Sequence, residues 1–162
     1  MNLQSVIVSQ SPEDKFREYL TTGNKSQRFT GQQRDMVRFI FSHHDHFDAE
    51  ALISDMQAAS LKISRATAYR TLNKLVDAGL LRRLELGTRT FYEHDYGYPQ
   101  HDHLQCTKCG KVIEFQNPII EEAIKQASLA HGFQSEGHSF IVRGVCKECN
   151  IARMPKRQLD LI

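Results

Sequence analysis

Ser64-Arg65-Ala66-Thr67-Ala68-Tyr69-Arg70-Thr71-Leu72-Asn73-Lys74 carries two patterns at once. Ala68, Leu72, Leu75 and Val76 recur at helical spacing and form an apolar stripe that faces a core. The remaining surface offers Arg65, Thr67, Tyr69, Arg70, Asn73 and Lys74. Arginine, threonine and asparagine hydrogen-bond base edges or phosphates, and a tyrosine ring can contact a thymine methyl. Small residues at Ser64, Ala66 and Ala68 let this helix end approach a duplex closely, as recognition helices do in the major groove. Ser64 opens the helix and Gly79 is placed as its C′ residue.

Beyond Gly79 the period changes. Leu80-Leu81-Arg82-Arg83-Leu84-Glu85-Leu86, then Gly87-Thr88, then Arg89-Thr90-Phe91-Tyr92-Glu93 predict a β-hairpin, with Arg82, Arg83 and Arg89 near a phosphate backbone. Upstream, Ser11-Pro12-Glu13-Asp14 predicts a capped helix to about Leu20, before Gly23. Thr30 caps a second helix with Met36, Val37, Ile40 and Phe41 inward, and Asp48 starts a third with Ala51, Leu52 and Met56 inward. Helices followed by a basic hairpin make a winged helix. A basic helix face alone is more often solvated surface, but helix, hairpin and arginine placement together favour DNA. Bulk charge does not argue for it, since the 162 residues carry a net charge of only +2. Hydrophobic content of 40% suffices for a core. No signal peptide and no membrane span is read, so a cytoplasmic chain with reduced thiols is expected.

The four cysteines fall in two C-x-x-C pairs, Cys106/Cys109 and Cys146/Cys149. Thiolates at this spacing suit a closed tetrahedral zinc site, with redox pairs or buried thiols as the weaker readings. Leu104, Val112-Ile113 and Phe115 predict short strands; Asn117-Pro118 starts a helix ending near His131-Gly132; Phe133 to Val142 returns as a strand. After Asn150 a mobile tail with Pro155-Lys156-Arg157 is expected. His101 and His103 lie two apart, so on an extended segment they share one side while Asp102 faces the other. Glu93, Glu114, Glu121, His138 and the run His43-His44-Asp45-His46 are further ligand candidates. A nitrogen-and-carboxylate site without sulfur suits Fe(II) or Mn(II), and zinc also binds such sites. His43, His44 and His131 read as ordinary surface or satisfied core histidines; His94 is open to either role.

Ala66-Thr67-Ala68-Tyr69-Arg70-Thr71-Leu72, the Asp77-Ala78-Gly79-Leu80 helix end, His101-Asp102-His103-Leu104-Gln105-Cys106-Thr107-Lys108-Cys109-Gly110, His131-Gly132-Phe133, His138 and the closing Cys-x-x-Cys resemble the ferric uptake regulator family. The resemblance runs from about Thr30 to Asn150. It implies a dimeric, metal-activated repressor with an α+β fold: a winged-helix DNA-binding domain over residues 1–94 and a small α/β dimerisation domain over 95–162. By resemblance, Tyr69, Arg70, Arg34 and Arg28 are DNA contacts. The structural zinc falls on Cys106, Cys109, Cys146 and Cys149, and the regulatory site on His46, Glu93, His101, His103 and Glu114. A third site would use Asp102, Glu121 and His138. The partners implied are a second copy of the chain and an A/T-rich inverted-repeat operator.

Three departures stand out. Gln100 occupies a position where the family often has histidine, Thr30-Gly31-Gln32-Gln33-Arg34 differs from the usual Thr-x-x-Arg, and the segment before Thr30 is longer than usual. Zinc-sensing members commonly place a cysteine in the regulatory site, whereas here the zinc pairs account for every cysteine. Peroxide-sensing members favour aspartates where this chain has Glu93 and Glu114. Fe(II) is therefore the expected regulatory ion, with Mn(II) or Zn(II) and the corresponding branches as alternatives. A zinc hydrolase or deaminase would need an H-x-E acid where this chain has His-Asp-His, so no enzyme is expected. A thiol oxidoreductase would open a helix at its cysteine pair, and a zinc-stapled protein-binding module would leave the basic helix without purpose.

Overall fold

The computed structural model describes residues 8–22, 26–43, 45–86 and 89–151. Gly23, His44, the Gly87-Thr88 turn and the tail with Pro155-Lys156-Arg157 lie outside the described residues. The chain is α+β and forms two compact units, one running to Pro99 and the other starting at Gln100.

The first unit holds α1 (Pro12–Thr22), α2 (Gly31–Phe41), α3 (Ala49–Ala58), α4 (Arg65–Asp77), β1 (Leu81–Leu86) and β2 (Arg89–His94). Each helix start is set by a short polar side chain that takes up a backbone N–H three residues on. Ser11 accepts from Asp14 N, Asp48 from Ala51 N and Ser64 from Thr67 N. Thr30 goes further: its hydroxyl accepts from Gln33 N while the Gln33 side chain accepts from Thr30 N, a closed capping box. Helix α4 ends on Ala78, and Gly79 turns the chain at φ +63°, which strains any side chain with a Cβ.

The core of this unit gathers Phe16 and Leu20 from α1, Met36, Val37 and Ile40 from α2, Leu52, Ile53 and Met56 from α3, and Ala68, Leu72 and Leu75 from α4. Helix α3 presents a different phase from the expected one. Ala49 and Ile53 are buried and Ala51 is exposed, because the stripe follows the 49–52–53–56 row. Strands β1 and β2 pair antiparallel from Leu81↔His94 to Leu86↔Arg89.

The second unit holds β3 (Asp102–Cys106), β4 (Val112–Phe115), α5 (Pro118–Ala130), β5 (Ile141–Gly144) and α6 (Lys147–Ile151). The sheet order is β4-β3-β5, with β4 antiparallel and β5 parallel to β3. Asn117 caps α5 and Pro118 starts it. The strand expected from Phe133 begins only at Ile141: β3 starts at Asp102, and its parallel ladder opens with His103 N donating to Phe140 O at 3.0 Å and the pair His103↔Ile141, so the residues before Phe140 have no strand neighbour to join. The short helix α6 was not expected, and it carries Cys149. No helix among the described residues is long and apolar enough to cross a membrane.

Candidate functional site

Cys106 ends β3, and Gly110 at φ +75° closes the tight turn to Cys109, its N–H donating to Cys106 O. Parallel pairing sets Cys106 beside Gly144, so two residues later Cys146 arrives at Cys106. Cys149 follows one turn along α6. The ligand atoms of all four cysteines lie within 4.8 Å of one another, with Cys109 Sγ 3.7 Å from Cys146 Sγ. A tetrahedron with zinc–sulfur bonds of about 2.3 Å has edges of about 3.8 Å, so the spacing fits that ion.

Backbone N–H groups of Cys146 and Lys108 reach Cys106 Sγ at 3.3 and 3.4 Å. Donation from Cys146 and then from Cys109 and Lys108 lowers the Cys106 thiol to about 6. Cys146 is pushed the other way, to about 12. Donation from Cys149 N–H is outweighed there by the Glu148 carboxylate, burial and the neighbouring cysteines. The Cys106 thiolate is thus favoured, while Cys146 and Cys149 are both raised and held protonated until a dication shares their charge. Lys111 Nζ lies 3.2 Å from Glu148 and joins the two cysteine turns from outside.

The histidines and carboxylates sort by unit. In the first, Phe47 and Tyr92 exchange backbone hydrogen bonds of 3.2 and 2.8 Å, an isolated bridge between the α2–α3 segment and β2. The residues flanking it meet: His46 Nε2 is 3.0 Å from Glu93 Oε2, while Arg82 Nε lies 3.5 Å from Glu93 Oε1. His94 is buried, with Nε2 at 3.1 Å from Ile40 O and its ring stacked on Phe41. In the second unit, the His101 and His103 rings sit 4.9 Å apart, and His101 Nε2 is 3.9 Å from Glu114 Oε1. Asp102 meets His138 instead, Oδ1 to Nε2 at 3.1 Å. Both atoms are buried and neither makes a hydrogen bond of acceptable geometry, an arrangement that a cation between them would satisfy. Glu121, in the first turn of α5, does not complete a three-ligand cluster with them. The Gln100 amide is used on backbone, donating to His138 O at 2.9 Å. His43 is satisfied by Phe39 O at 2.8 Å, and His131 caps the end of α5.

On α4, Arg65, Tyr69, Arg70 and Asn73 are exposed, whereas Thr67 is half-buried in the N-cap cluster with Ser64. Arg83 donates to Asn73 Oδ1. Arg82, expected near a phosphate backbone, is instead held by Asp95 and Glu93. Arg34 lies over the Phe29 ring at 5.5 Å, and Arg28 is exposed nearby. A cavity of about 670 Å³ is lined by Arg28, Thr30, Arg70 and Lys74. Sequence reasoning missed Glu50. This α3 carboxylate accepts from Arg65 at 2.6 Å and from the Tyr69 hydroxyl at 2.9 Å, and its hydrogen bond is the main cause that raises the Tyr69 phenol. The 15- and 19-residue separations leave no local signal of these pairings.

A helical unit with an exposed basic helix and a hairpin, joined to a sheet closed by four thiols and bearing histidine–carboxylate pairs, defines a metal-binding transcription regulator. The chain belongs to the ferric uptake regulator family, whose family model matches residues 24–143. It is 33% identical to the ferric uptake regulation protein of Campylobacter jejuni, covering 85% of this chain and 87% of that one. It is 31% identical to the peroxide-responsive repressor PerR of Staphylococcus epidermidis, over 75% of this chain and 81% of that protein. Among solved structures it resembles the ferric uptake regulator of Francisella tularensis with iron (TM-score 0.68, 28% identity), covering 79% of this chain and 98% of that one. Members of this family are DNA-binding, homodimeric regulators, and this chain is a metal-responsive regulator of the family.

Proposed function

We propose that this chain is an Fe(II)-dependent transcriptional repressor that acts in the cytoplasm as a homodimer on an A/T-rich inverted-repeat operator and controls iron-uptake genes. The observation that carries the metal assignment is the separation of donors. All four cysteine thiols belong to one cluster, which leaves histidine nitrogens and carboxylate oxygens to make up the other ligand set. Cys106, Cys109, Cys146 and Cys149 hold structural zinc in this reading. His46, Glu93, His101, His103 and Glu114 form the regulatory ligand set, for which Mn(II) and Zn(II) compete. Asp102, His138 and Glu121 are offered as a weaker third set.

A bound ion supplies positive charge that the carboxylates and imidazoles share. His46 and Glu93 come from the first unit, the other three from the second. Shared ligation therefore biases the chain toward one arrangement of its DNA-reading helix. Moving a population from 1:99 to 99:1 takes about 5.5 kcal/mol of differential binding. Arg28, Arg34, Arg65, Thr67, Tyr69, Arg70 and Asn73 are the DNA contacts of this reading, with Arg34 and Thr67 partly withdrawn.

The test is anaerobic fluorescence anisotropy with operator DNA, the zinc cluster kept filled and Fe(II), Mn(II) or Zn(II) titrated. Operator binding is expected with Fe(II) or Mn(II), and a response confined to trace Zn(II) assigns the chain to zinc sensing. His101→Ala is expected to abolish the metal response while circular dichroism and dimer mass stay unchanged. A variant that still responds removes His101 from the switch.

A further inference from the structure

Glu50 is an anomaly on the face that the proposed function gives to DNA. It sits in the first turn of α3 with its side chain half-exposed, yet one of its oxygens holds two α4 side chains, Arg65 Nη2 at 2.6 Å and Tyr69 Oη at 2.9 Å. One residue-pair away, Asp48 Oδ2 lies 3.9 Å from Arg89 at the start of β2. A cavity of about 690 Å³ runs between these parts, lined by Asp48, Glu50, Tyr69, Arg89 and Tyr92. Two carboxylates therefore stand among the side chains that would meet a polyanion.

A carboxylate only accepts hydrogen bonds, and a phenol has one proton. The Tyr69 hydroxyl donates that proton to Glu50, so what it presents outward is a lone pair. In the major groove, adenine N6 and cytosine N4 are donors, while thymine O4 and guanine O6 are acceptors. An outward-facing acceptor matches the first two and is repelled by the others.

We propose that Glu50 is a specificity-determining residue: by holding the Tyr69 proton it makes Tyr69 a reader of the exocyclic amines of adenine or cytosine, and by its charge it weakens binding to DNA at large. The inference rests on α4 being the DNA-reading helix. Glu50 acts through Tyr69 and is a positioning residue. Its charge acts directly, because binding to phosphates scales with the net positive charge offered and falls with salt.

The test uses the full zinc-loaded chain with its activating metal. A duplex is selected by the wild type from a randomised pool, and every base is then substituted in turn; a shuffled duplex reports non-specific binding. Tyr69→Phe locates the base that the hydroxyl reads, where wild type should favour adenine or cytosine by about fivefold, the worth of one ordinary hydrogen bond. Glu50→Ala should erase that preference, and Glu50→Ala/Tyr69→Phe should be no worse there than Tyr69→Phe alone. Glu50→Gln keeps an acceptor for the phenol, so it should retain the preference while binding the shuffled duplex more tightly.

The proposal is overturned if Glu50→Ala leaves the preference intact, if the base read is thymine or guanine, or if Glu50→Gln gains nothing on shuffled DNA. A wild type that binds selected and shuffled duplexes alike removes the DNA-reading assignment of α4, and this inference with it. Discrimination that depends on Tyr69 but not on Glu50 removes the inference alone.

Discussion

Single side chains do two kinds of work in this protein, closing helices and preparing ligands. Thr30 satisfies Gln33 N and its partner returns the bond, so neither end of the exchange depends on tertiary structure. Thr30→Ala should cost about 1 kcal/mol in urea denaturation of the folded chain. At the thiol cluster, Cys106 titrates at about 6 against an ordinary 9.0. A lowered value means that the thiolate's contribution is complete above pH 9 and is lost as the pH falls through about 6. In zinc-free protein, iodoacetamide labelling of Cys106 should reach half its full rate near pH 6. Cys146, pushed to about 12, should stay unlabelled at neutral pH in the same peptide mass map. Equal labelling of both would contradict the donor pattern around Cys106. Caps and the thiol pairs were legible because their partners are three residues away. Glu50 was not, since its partners belong to another helix.

At the scale of elements, α1 matters more than its position suggests. It precedes residue 24, where the family match begins, yet Phe16 is fully buried, in edge-to-face contact with Phe29 at 5.6 Å. Phe16→Ala should destabilise the first unit by about 3–5 kcal/mol, read as a lower thermal midpoint for that unit. A loss under about 1 kcal/mol would mean that α1 is an appendage. The apolar periods of α2 and α4 predicted their buried faces. In α3, several apolar residues cluster at 51–53, so the stripe could be drawn in two phases, and only packing against α2 and α4 selected Ala49 and Ile53. β5 is short for a related reason: an isolated run of alternating residues becomes strand only as far as a neighbour offers hydrogen bonds.

For the whole molecule, the decisive contrast is between the two units. Among the described residues, every buried apolar side chain except Cys106 belongs to the first unit. Helix α5 buries none of its residues, with Ile119 and Leu129 well exposed. Leu104, Ile113 and Val142 are directly paired across the sheet and all three are exposed. An aligned apolar row of this kind marks an association surface, which supports the proposed homodimer. Leu104→Glu should shift sedimentation from dimer toward monomer while the zinc content per chain stays that of the unsubstituted protein. A fully dimeric variant would place the interface elsewhere.

The sequence by itself determined the helices of the first unit, their caps, the hairpin, the thiol inventory and the alternation of His101, Asp102 and His103. All of these depend on hydrogen bonds and periodicities within a few residues. Tertiary structure decided the rest. Parallel pairing of β3 with β5 delivers Cys146 to Cys106 across forty residues. The Phe47–Tyr92 bridge sets His46 against Glu93, 47 residues apart. Glu50 takes hold of Tyr69 only because α3 and α4 pack together. Contacts between distant segments form when burial and ladder hydrogen bonds outweigh the entropy of closing the loop between them, and that balance belongs to the packed molecule rather than to any local stretch of chain.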